Sequence, residues 1–163
     1  MGTEKRELAD GWNQRRVVSL FCLNGLTDMA RWRKEAIDRL PELRGTIEQS
    51  HEVMALWIEI RLAFEKAYRD PRNDDLIRRI YDFAKWCESA PRGPDAGRDP
   101  YTAVVVAFYE HIPQTKAARD DICRWFTRSQ ILEGRAVFAR YITPEEYESL
   151  LDSFDHLKNK WKQ

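Results

Sequence analysis

Glycine and proline are scarce in this chain, seven of each in 163 residues. No cluster of glycines builds a loop that could cradle a phosphate, which removes the usual nucleotide-binding motif. The HExxH spacing of zinc hydrolases, the G-x-S-x-G turn of serine hydrolases and the EF-hand calcium loop are also missing. The cysteines, Cys22, Cys87 and Cys123, are odd in number and far apart. They suit neither a disulfide framework nor a zinc finger, and are expected to be reduced thiols behaving as small hydrophobes. No apolar run approaches the roughly 18–20 residues that cross a bilayer. The longest are VVSLFCL (17–23) and AVVVAF (103–108). The first comes after a charged stretch and leads into NGLTDMARW, which offers no small-residue cleavage site. The expectation is a cytoplasmic protein with no membrane contact.

Net charge is absent too, with 27 basic against 27 acidic residues. Nucleic-acid binding draws most of its affinity from phosphate neutralisation by a concentrated basic surface. Counted by thirds, this chain shows no such concentration, and no nucleic-acid partner is expected. Arginine supplies 19 of the 27 basic residues. Its planar fork pairs carboxylates and stacks on rings, so the bias suits ion-pair networks along helices.

Aromatics are plentiful, with six Trp, six Tyr and seven Phe. At this length one domain can bury enough surface to stand without staples. The rings are read first as the core of that domain, with some of them candidate anchors at an interface.

Helix punctuation is frequent. In YITPEEYESLLDSFDHLKNKW, Thr143 is a cap, Pro144 suits the first helical position and Glu146 closes a capping box. Tyr147, Leu150, Leu151, Phe154, Leu157 and Trp161 come next at steps of three and four, predicting a helix of about 17 residues. FTRSQILEGRAVFARYI repeats the box with Thr127 and Gln130, and reads as one helix weakened at Gly134. Asp99 and Pro100 open PYTAVVVAFYEHI, apolar all round and therefore the central helix, 101–112. Segments 50–70 and 74–89, joined by DPRND, predict an antiparallel hairpin. APRGPDAGRD (90–99) is the one true loop. TKAARDDICRWF reads as a short helix, and TDMARWRKEAIDRL as a helix capped by Thr27. The expected fold is all-α: six or seven helices in packed antiparallel hairpins, an irregular bundle or short superhelix around helix 101–112. Residues 1–26 form an N-terminal arm and 27–163 one helical domain.

Few residues are placed to do chemistry. Glu110 and His111 are neighbours, so on a helix they point about 100° apart and cannot grip one atom from one face. His111 is expected to lie against the helix C-terminus, and Glu110 to be partly buried with an Arg partner. Glu48 and His51 have the i, i+3 spacing of ferritin-like metal bundles, but such a site needs a second copy that the chain lacks. Glu59 lies in an apolar stretch, with Arg61 or Lys66 as expected ion-pair partner. A hydrolase or metal-dependent site would have to be assembled from Glu59, Glu110 and His111 by folding.

The phrases IRRIYDFAKWC, AVVVAFYEHIP, DICRWF and ITPEEYESL resemble an uncharacterised bacterial family of small helical proteins, over about residues 47–155. The resemblance implies a stand-alone cytosolic helical domain and brings no catalytic residues, metal or cofactor. The reading favoured here is an interaction module, a scaffold, adaptor or immunity-like protein, with a protein partner and with homo-oligomerisation left open. Trp86, Arg124, Trp125 and Phe126 are the candidate anchors, because Trp and Arg are enriched at interface centres.

Overall fold

The computed structural model describes residues 31–69 and 71–160, with side chains up to Phe154. The expected N-terminal arm, 1–26, and the Thr27 cap lie outside the described residues. Within them the chain is helical, with no strand, as the 3.6-residue periodicity predicts.

Helix α1 covers 31–39 and turns Trp32 and Ala36 inward, with Leu40 completing the stripe. A 3-10 turn, Pro41–Leu43, leads into α2, Arg44–Gln49, which periodicity alone does not separate. Helix α3, Val53–Ala67, begins three residues later than expected, because Ser50 and Glu52 are extended. Asn73 caps α4, Asp74–Ser89, by accepting the Leu76 amide at 3.0 Å. Helices α3 and α4 form the expected antiparallel hairpin. Trp57, early in α3, stacks on Phe83, late in α4, and Phe64 meets the earlier Tyr81.

Loop 90–99 carries its own fasteners. Buried Asp99 accepts the Gly93 amide at 2.9 Å, the Thr102 amide at 3.0 Å and the Thr102 hydroxyl at 2.5 Å. Arg92 adds an ion pair at 2.9 Å. Gly97 accepts the Met54 amide at 3.1 Å, binding the loop to the start of α3. Asp99 thereby caps α5, Pro100–Val104.

The central helix is not uniform, which corrects the expected α-helix 101–112. After Val104 it widens into a π turn, Val105–Tyr109, closed by the Glu110 amide on the Val105 carbonyl at 3.1 Å. The extra residue comes at the stiff β-branched run Val104–Val106. It rotates the residues beyond it, so that Ala107, Phe108 and Tyr109 are all buried in succession. A 3-10 turn, Ile112–Gln114, then leads to α6, Lys116–Asp120, and a second, Ile122–Arg124, comes after it.

The segment read as one helix around Gly134 is two: α7, Arg128–Glu133, and α8, Arg135–Phe138. A Cβ at Gly134 would press on the Gln130 carbonyl and the Phe138 ring, so the break occurs where backbone and ring come close. The last helix, α9, Pro144–Lys160, has the predicted 17 residues. The described residues thus hold nine helices rather than six or seven, since turns and breaks divide runs that periodicity joins.

The core is aromatic. Trp57 is fully buried and stacked with Phe83 at 5.1 Å and Phe108 at 5.0 Å. Phe64 meets Phe108 edge-on at 4.8 Å, and Tyr81 carries the contact on to Trp125 at 4.3 Å. Phe126 and Phe138 complete it beside Tyr109. Each such pair adds about 0.5–1.5 kcal/mol beyond the area it buries. The rings bring α3, α4, the π turn and the 122–126 corner together.

Candidate functional site

A groove of about 650 Å³ opens between α1 and α4, lined by Asp38, Arg39, Arg78, Arg79, Asp82, Lys85, Trp86 and Ser89. Its fixed point is Arg79. One η-nitrogen donates to the Arg39 carbonyl at 2.7 Å and to Glu42 at 2.8 Å, the other to Glu42 at 2.5 Å, and Nε to Asp75 at 2.8 Å. The Glu42 bonds and then Asp75 hold the guanidinium above its ordinary pKa against the effect of burial, and Arg79 pulls the Glu42 carboxyl below its own. Arg79 therefore fastens α4 to the α1–α2 corner in its charged form.

The remaining charges pair in the same way. Arg78 bridges Asp75 at 2.8 Å and Asp82 at 3.0 Å, Lys34 meets Asp38 at 2.9 Å, and Arg39 meets Glu35. Around the groove Lys34, Arg39, Arg78, Arg79 and Lys85 face Glu35, Asp38, Glu42, Asp75 and Asp82, five cations to five carboxylates. Among the described residues Lys85 makes no ion pair. Trp86 is half-buried and parallel to Phe83 but offset from it, ring centroids 5.9 Å apart and planes within 8°. The site is a half-buried indole in a charge-matched rim.

Of the other candidate anchors, Trp125 and Phe126 are half-buried members of the aromatic core. Arg124 is exposed, lies over the Trp125 ring and pairs with Asp121 at 3.3 Å and Asp74 at 3.6 Å. Asp121 also takes Arg72 at 2.7 Å and the Tyr68 hydroxyl at 3.1 Å. Burial first, and then Asp121, push the Tyr68 phenol above its ordinary pKa. This cluster ties the α3–α4 turn to the 122–124 turn and leaves Arg124 occupied.

The candidate acids, bases and ligands are dispersed. Glu59 is exposed and lines a second groove, about 550 Å³, with Thr46, Gln49, Ser50, His51, Glu52 and Ala55. The expected ion pair of Glu59 does not form. Arg61 is two residues away, on the opposite side of the helix, and turns to Glu65 at 4.0 Å. Lys66 is two turns along, about 10.5 Å in rise. Glu48 pairs with Arg44 at 3.4 Å. The helix carrying it ends at Gln49, so Glu48 and His51 do not share a helical face despite their spacing. Glu110 is engaged by Arg140, as the need for an Arg partner predicted. His111 stacks on Tyr141 at 4.8 Å instead of lying on an α-helix C-terminus, because the π turn ends the helix before it. Among the described residues no group of three or more His, Cys, Asp or Glu side chains is placed to hold a metal ion. None of their helices is long and apolar enough to cross a membrane.

Trp86 was legible as a candidate; the rest of its groove was not. Arg78 with Asp75 and Asp82 has helical spacing, a signal available in the sequence. Arg79 and Glu42 are 37 residues apart, and only folding joins them. Comparisons with protein-family models, curated proteins and solved structures each return no match.

Proposed function

We propose that this chain is a helical protein-interaction module and that the α1–α4 groove is its docking site. The observation behind this reading is Trp86, a half-buried aromatic ring parallel to Phe83 in a concave, charge-matched surface. An aromatic centre within a polar rim is the usual energetic layout of a protein interface. The matched rim argues against a phosphate backbone, which would have to compete with carboxylates already paired to the arginines. The occupant that fits is a peptide segment placing an apolar side chain on Trp86 and a carboxylate beside Lys85.

The test is affinity capture from cells with the full chain, its Trp86→Ala variant and its Lys85→Glu variant, circular dichroism serving as the check on folding. A partner held by the wild type, lost with Trp86→Ala and weakened with Lys85→Glu supports the groove. Equal capture by folded variants overturns it.

A further inference from the structure

We draw no further inference here: the strongest candidate, the groove of about 550 Å³ between α2 and α3 lined by His51, Glu52 and Glu59, is a cluster of acidic side chains at which nothing in the structure shows what ligand would be held.

Discussion

Arg140 Nε lies 3.2 Å from Glu110 Oε2, and the Glu110 side chain retains only 12% exposure. The residues beside this pair repeat the contact: His111 stacks on Tyr141, and the Arg140 guanidinium lies over the Tyr141 ring at 5.6 Å. Two consecutive residues after the π turn thus grip two consecutive residues after α8. The pair that looked most like chemistry in the sequence is a fastener between two parts of the fold.

Arg140→Ala should therefore destabilise by stranding a mostly buried carboxylate. A fall of about 2–4 °C in Tm is expected. Adding Glu110→Gln to that variant should recover most of the loss, since the stranded charge is then gone. Thermal melts of the two single variants and the double variant provide the measurement. No recovery would show that the ion pair is not what holds this corner.

Asp99 is the second test. Burial opposes its ionisation, but the Thr102 hydroxyl, the Gly93 and Thr102 amides and Arg92 outweigh it and hold the carboxyl below its ordinary 3.8. The native state then binds fewer protons than the unfolded chain in the acid range. The stabilisation is complete above the ordinary carboxylate pKa and is lost as pH falls through the lower native value. Asp99→Ala should cost about 2 kcal/mol at about pH 7, through the lost cap and the orphaned loop amide. Urea unfolding in a series toward about pH 3 should show the gap to wild type narrowing. Gly93→Ala should also be costly, because its Cβ would overlap the Arg98 backbone carbonyl. Gly97→Ala should be milder, because there the obstacle is the movable end of Glu52.

Cys87 answers at the other end of the pH scale. Burial pushes its thiol up to about 12 from an ordinary 9.0, with Trp57 pulling slightly the other way. The native state holds this proton where the unfolded chain has released it. Its contribution is full below about pH 9 and disappears as pH rises through about 12. Tyr68, Tyr81 and Tyr109, all raised by burial, steepen the same decline. Denaturant midpoints should fall across this window, and less steeply in Cys87→Ala. A thiol reagent at mildly alkaline pH should label half-buried Cys123 and leave Cys87 until the chain unfolds.

What the sequence determined by itself is the set of features that close within a few residues. The Thr127–Gln130 box has both halves made, and so has the Thr143–Glu146 pair, whose amides are taken at 3.0 and 3.2 Å. The Asn73 and Asp99 caps reach three residues ahead. Such bonds join groups that the chain already holds close together, so residue type and spacing suffice to predict them. The apolar period marks a core face in the same local way, and the all-helical class results from it.

Tertiary structure decided which rings remained uncovered and which charges met. Trp86 and Trp125 look alike in the sequence, each within a short polar-aromatic phrase. One lines an open groove because no described element covers its outer side, and the other is stacked on Tyr81. The π turn set which side of the central helix Glu110 and His111 would take, and with it their engagement by Arg140 and Tyr141. Exposure and long-range pairing depend on what another part of the chain brings to that face, and the spacing of residues along one helix contains no record of it.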